Sequence, residues 1–126
     1  MAFDLDGSDL TDAGVARLRN FRELRELNLQ STRVTSRSLK DIGILRKLES
    51  LNLSRTRALR DDRAALAALT SLREVDLSFS HADDDTVASL SSSKKLHTLS
   101  LATTLVTKRA CRSLRTLPSR PIPAIG

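Results

Sequence analysis

Residues 24–32 read LRELNLQST, and the same frame returns as LESLNLSRT at 48–56, LREVDLSFS at 72–80 and LHTLSLATT at 96–104. Leu24, Leu48, Leu72 and Leu96 open the four stretches, so the period is 24 residues. Self-similarity at a fixed interval of this length means a solenoid, in which each unit buries its apolar face against its neighbours. Such an architecture presents surfaces, and the sequence says more about the surface than about what binds it.

Within each frame apolar and polar residues alternate. Leu27 and Leu29 point to one side while Glu26, Asn28 and Gln30 point to the other, the period-two pattern of a strand. Leu51 with Leu53, Val75 with Leu77 and Leu99 with Leu101 repeat it. The apolar spacing then changes to three: Val15, Leu18, Phe21 and Leu24, next Leu39, Ile42, Leu45 and Leu48, then Leu66, Leu69 and Leu72, Val87 and Leu90, and Cys111, Leu114 and Leu117. This predicts a short helix with one buried stripe. Thr11-Asp12, Thr35-Ser36, Asp83-Asp84 and Thr107 supply good capping residues at the helix starts. Each unit is therefore strand, turn, helix, turn, and successive strands are parallel neighbours. The expected fold is α/β: a solenoid of about five repeats, with a parallel sheet on the concave side and short helices on the convex side. Burial of a Leu-sized side chain stabilises by about 1.5–3 kcal/mol, so the ordering entropy is overcome only when several units stack.

One further column recurs. Ser8, Thr32, Thr56, Ser80 and Thr104 share a single phase, where a hydroxyl can both donate to and accept from the backbone of the turn leaving the strand. This column is expected to be structural.

The motifs LNLQSTRVT and LNLSRT, the 24-residue period and Thr at the position of a customary Asn resemble leucine-rich-repeat proteins over nearly the whole chain. They look most like helical-convex repeats, similar to F-box-associated and ribonuclease-inhibitor-like types. The third unit departs from the pattern. Leu59-Arg60-Asp61-Asp62-Arg63 displaces the cap and puts Arg63 where its neighbours have Leu39 or Val87, so a shifted or looser helix is expected. No F-box-like helical module stands ahead of the repeats in this sequence, which weighs against a ubiquitin-ligase role for the chain alone.

The organisation read from the pattern is a solenoid over 1–117, its first repeat partial, followed by a Pro-rich C-terminal tail over 118–126. Phe3 and Leu5 fall in register with Leu27 and Leu29, so an N-terminal edge covered by a partner or by upstream sequence is expected. The tail, PSRPIPAIG, places Pro123 and Ile125 in the same register and reads as a terminator lying along the last strand.

Composition narrows the function. Apolar content is 40% with three Phe and neither Tyr nor Trp, so the core is aliphatic. A single cysteine excludes an internal disulfide, and with no secretory leader a reducing intracellular compartment is expected, the cytoplasm first and an organelle matrix second. No apolar run approaches the ~18 residues of a membrane span. The net charge of +6 is unevenly placed: Asp4, Asp6, Asp9 and Asp12 open the chain without a Lys or Arg, whereas no acid follows Asp85.

No catalytic constellation emerges. His81 and His97 sit at different phases with no converging ligands, and Cys111 takes a core phase beside Val15, Leu39 and Val87. Asp83-Asp84-Asp85 lacks the Gly and the later Glu of a calcium loop and reads as a capped helix start. No metal and no cofactor are expected, and the chain does not read as an enzyme.

Two surfaces remain. The concave face carries Glu26, Asn28 and Gln30, then Asn52 and Ser54, then Glu74, Asp76 and Ser78, a polar and mildly acidic sheet without Lys or Arg. Beside it, a rim of Arg33, Arg55, Arg57, Phe79, His81 and Leu105 follows the strands, with Arg37 and Arg60 nearby. Arg and exposed aromatics are typical interface anchors. A second basic row, Arg22, Arg25, Arg46, Lys47, Arg73, Lys94 and Lys95, lies at helix C-termini, where cations favour the helix dipole. Five strands ~4.8 Å apart offer on the order of 500 Å², short of the ~800 Å² per partner of a stable interface. The expected function is a non-catalytic protein–protein interaction scaffold, a small subunit of a larger multiprotein assembly. The alternatives are a ribonucleoprotein subunit docking RNA through its Arg-rich rims, and the substrate-recognition part of a ubiquitin ligase.

Overall fold

The computed structural model describes residues 1–61, 63–110, 112 and 124–125. Cys111, Leu114, Leu117, Pro118, Pro121 and Pro123, for which core or terminator roles are expected, lie outside the described residues.

Six strands form one parallel sheet in chain order: β1 (Ala2–Asp4), β2 (Glu26–Asn28), β3 (Ser50–Asn52), β4 (Glu74–Asp76), β5 (Thr98–Leu101) and β6 (Ala124–Ile125). The sequence period is the pairing register itself: Leu27 faces Leu51, Leu51 faces Val75 and Val75 faces Leu99. Slipping one strand by a residue would turn its leucines to solvent, so the apolar alternation locks the stack. The tail contributes Ala124–Ile125 in the same register against Ser100 and Leu101.

Opposite the sheet lie α1 (Asp12–Arg17), α2 (Leu39–Ile42) and α3 (Asp84–Leu90), with 3-10 turns at Leu18–Asn20, Ser36–Ser38 and Arg63–Ala68. Between the layers the strand leucines meet Val15, Leu18, Leu39, Ile42, Leu66, Leu69, Val87 and Leu90, all buried. Phe21 departs from the expected stripe. It is 41% exposed and packs edge-on against Phe3, ring centres 5.1 Å apart.

The hydroxyl column behaves as its phase implies. Thr32, Thr56, Ser80 and Thr104 each donate to the carbonyl three residues back, at 2.8, 2.7, 2.5 and 2.8 Å. Thr56, Ser80 and Thr104 also accept the N–H two residues ahead. A second column was not legible in the pattern. Gly7, Ser31, Arg55, Phe79 and Thr103, one period apart, all have left-handed backbone, with φ of 67, 57, 56, 55 and 52°. At this point the chain leaves the sheet: Gly7, Ser31, Arg55 and Phe79 donate their N–H to Gln30, Ser54, Ser78 and Ala102 before turning away.

The third unit is the irregular one. Its helical segment is a 3-10 stretch, Arg63–Ala68. Leu59 is fully buried at the phase where Thr35 and Asp83 cap their helices, so this unit exchanges a polar cap for an apolar contact. The Arg63 head donates to the Arg60 carbonyl at 3.0 Å and lies 3.4 Å from Asp83, which lets its stem occupy a core-facing phase.

Candidate interaction surface

The strands fix the concave side chains in columns one period apart, and the columns differ in what they are free to do. Glu26 and Glu74 are exposed, and the register places Ser50 between them. The next column is engaged by its own backbone. The side chains of Asn28, Asn52 and Asp76 accept the N–H two residues on, from Gln30 at 3.0 Å, Ser54 at 2.9 Å and Ser78 at 3.0 Å. These bonds close the strand ends as Asx turns do. Asn52 also donates to the Gln30 side chain at 3.1 Å and accepts the Ser54 hydroxyl at 2.6 Å.

Ser54, expected on the open face, is 3% exposed, so it is not an accessible contact residue. The hydroxyl is drawn onto Asn52 and shielded there. Asn28, Gln30, Asn52, Asp76 and Ser78 remain half-buried, with outer edges that can still be touched. The recurrence of Asp4, Asn28, Asn52 and Asp76 at one phase was the available signal for this backbone role.

The descending edge is partly self-paired. Glu49 lies between Arg25 and Arg73, 2.5 and 3.4 Å away, and Glu23 meets Lys47 at 2.7 Å. The Arg25 hydrogen bond, opposed by desolvation and assisted by both arginines, holds the Glu49 carboxyl below its ordinary range. Lys94 donates to the Ser91 carbonyl. The cations seen in sequence as a basic row are thus partly neutralised one repeat away.

The ascending edge differs. Arg33, Arg55, Arg57 and Arg60 are exposed, and among the described residues none forms an ion pair with a carboxylate. Arg33, Arg55 and Arg57 line a cleft of about 410 Å³ floored by Thr32, Val34, Thr35 and Thr56. A second cleft of about 330 Å³, with Arg37, Arg57, Arg60 and Asp61, shares Thr35 and Arg57 with the first. The isolated parallel bridge between Thr35 and Arg57 forms the floor common to both. Above them Arg55 lies over the Phe79 ring, 4.2 Å from its centre. Phe79 is 47% and Leu105 62% exposed, while His81 is half-buried. Its Nδ1 has no hydrogen-bond partner among the described residues. The structure therefore brings Arg33, Arg55 and Arg57 together and leaves Leu105 in the same frame two repeats beyond Arg57.

Beneath this rim the repeats are bolted together. Asp12 accepts the Thr35 N–H, the Thr35 hydroxyl and the Ser38 hydroxyl at 2.8, 2.6 and 2.5 Å. Asp84, three periods later, accepts the Thr107 N–H and hydroxyl at 2.7 and 2.5 Å. Burial works against the Asp12 charge, but the hydroxyls of Ser38 and Thr35, the Thr35 N–H and nearby Arg37 outweigh it, and the carboxyl is held below its ordinary value. For Asp84 the Thr107 hydroxyl and N–H dominate in the same direction.

Among the described residues no cluster of three His, Cys, Asp or Glu side chains could hold a metal ion. No described helix is long and apolar enough to cross a membrane.

No protein-family model and no curated protein matches the chain. Solved structures do. The crystal structure of an internalin C2 from Listeria monocytogenes superposes with a TM-score of 0.83 over 98% of this chain and 50% of that one, at 21% identity. An internalin, inlF, from the same organism matches with a TM-score of 0.72 over 86% of this chain and 30% of that one, at 20% identity. The chain spans half the length of the first and less than a third of the second. At these identities the likeness is one of fold.

Proposed function

We propose that this chain, a leucine-rich-repeat solenoid by fold, is a non-catalytic protein-interaction module serving as a subunit of a larger multiprotein assembly. The observation that carries the reading is the contrast between its two edges. On the descending edge Arg25, Lys47 and Arg73 are ion-paired with Glu49 or Glu23. Among the described residues Arg33, Arg55, Arg57 and Arg60 on the ascending edge form no ion pair, with Asp61 the one described carboxylate in their clefts. The concave face alone is too small and too engaged to act by itself. Asn28, Asn52 and Asp76 serve the backbone and Ser54 is buried, which leaves exposed Glu26 and Glu74 and the outer edges of the half-buried side chains. A partner that also reached the rim would add the area a stable interface needs, with Arg and Phe79 as anchors.

Crosslinking of the native protein with mass spectrometry tests this. Crosslinked peptides from other proteins are expected on strands β2–β4 and on the Arg33–Phe79 rim. Purification as a free, folded monomer with no associated protein at those positions would count against the proposal.

A further inference from the structure

We infer that the arginine groove on the ascending edge, between the second and third repeats, seats an Asp/Glu-rich segment of a protein partner. The inference deepens the proposed function and rests on its rim. Arg33 and Arg57 occupy the same position in consecutive repeats and line one cleft, with Arg55 beside them. Arg57 and Thr35 continue into the adjoining cleft, where Arg60 stands. Like charges set at one phase of neighbouring repeats repel, and the fold keeps this arrangement with one described carboxylate, Asp61, in the groove. Elsewhere the chain alternates sign at one phase, as in Arg25–Glu49–Arg73, so cations need not be stacked this way for stability. Arg22 and Arg46 on the opposite edge also repeat a cation, but they line none of the described clefts.

Carboxylates are the anions this groove fits. Planar guanidinium groups take a carboxylate two-pronged, and adjacent arginines match successive acidic side chains of an extended segment. A single-stranded nucleic acid fits less well. It wants a continuous cationic track with several stacking faces, whereas one exposed aromatic stands here and its ring is covered on one side by Arg55. The bordering sheet carries exposed Glu26 and Glu74, which repel a polyanion running across it.

The test is fluorescence anisotropy of a labelled oligoglutamate peptide with the full chain at low salt, comparing two double variants that remove equal charge. Arg33→Gln with Arg57→Gln is expected to weaken binding about three- to tenfold, as loss of two exposed ion pairs would. Arg22→Gln with Arg46→Gln is expected to change it less than about twofold. All four side chains are exposed, so both variants are expected to fold, with unchanged circular dichroism as the check. Equal weakening by the two pairs would reduce the effect to net charge and overturn the inference, as would no binding by the unaltered chain. Tighter binding of an oligouridylate of matching charge would overturn it in favour of RNA. Self-association abolished by the Arg33/Arg57 pair would assign the groove to a second copy and also overturn it. In any of these cases, crosslinks to protein partners on strands β2–β4 would leave the interaction-module reading standing.

Discussion

Arg55 and Phe79 stand one repeat apart at the same left-handed position, φ 56 and 55°, and the Arg55 guanidinium lies 4.2 Å from the centre of the Phe79 ring. Both residues adopt a backbone conformation that suits glycine, at the point where the chain leaves the sheet. The pair couples two repeats across the exposed rim.

A double-mutant cycle should measure that coupling. Arg55→Ala, Phe79→Ala and the double variant are expected to give an interaction energy of about 0.5–1 kcal/mol in urea denaturation, the range of an exposed cation–π pair. Phe79→Gly is expected to be less damaging than Phe79→Ala, because glycine relieves the positive φ. Additive single effects would mean that the stack does not form in solution.

The hydroxyl column makes a sharper demand. Thr56 is 5% exposed, donates to the Leu53 carbonyl and receives the Ala58 N–H. Thr56→Val keeps the shape and orphans both backbone groups, so it is expected to cost about 1–3 kcal/mol. Thr56→Ser keeps both bonds, as Ser80 does in its own repeat, and gives up one methyl worth about 0.8 kcal/mol. Chemical denaturation of the two variants checks the order, and a larger loss from Ser than from Val would contradict the hydrogen-bonding role.

Much of the fold was legible because it follows from alternation and repetition. Leu51 and Leu53 declare a strand by period two, and the 24-residue recurrence gives the register without further assumption. The third unit's looseness showed in Arg63 standing at an apolar phase, and the structure has a 3-10 stretch there. The left-handed column stayed hidden because Ser31, Arg55, Phe79 and Thr103 share no chemistry; backbone dihedrals leave no composition signal unless glycine takes them. The face was harder to read than the fold. Asn52 points away from the core, as its phase says, yet its side chain is bonded to Ser54 and Gln30, and outward direction alone does not reveal that. Likewise Arg25 and Arg33 look equally free in sequence, and only side-chain geometry shows that Arg25 is paired with Glu49 while Arg33 meets no carboxylate among the described residues.

Those bonds alter what substitution at β3 should do. Leu51 and Leu53 are 1% and 0% exposed, and truncating either to Ala is expected to cost about 2–5 kcal/mol as a core cavity. Asn52→Ala is expected to cost about 1–2 kcal/mol rather than nothing, since it releases the Ser54 N–H and hydroxyl. Urea midpoints of the three variants test the strand phase. Equal losses at all three positions would place the strand wrongly.

Acid should loosen the solenoid at its inter-repeat bolts. Asp12 and Asp84 are held below the ordinary carboxyl value of 3.8, Asp12 by hydroxyl and N–H donors that outweigh its burial, Asp84 chiefly by Thr107. A carboxyl depressed in the folded state stabilises fully above the unfolded value, and the contribution disappears as pH falls through the folded one. Stability from these two groups is therefore expected to be intact at neutral pH and to drain away below 3.8. Asp12→Asn and Asp84→Asn should lower the urea midpoint most at neutral pH, because the charged acceptor is then missing. As pH drops below that value the gap to the unaltered chain should narrow, since the native carboxyls become neutral as well. Denaturation curves at about pH 7, 5, 4 and 3 would follow this convergence. A gap of constant size across the series would mean that the two carboxyls are not bonded as anions to Thr35, Ser38 and Thr107.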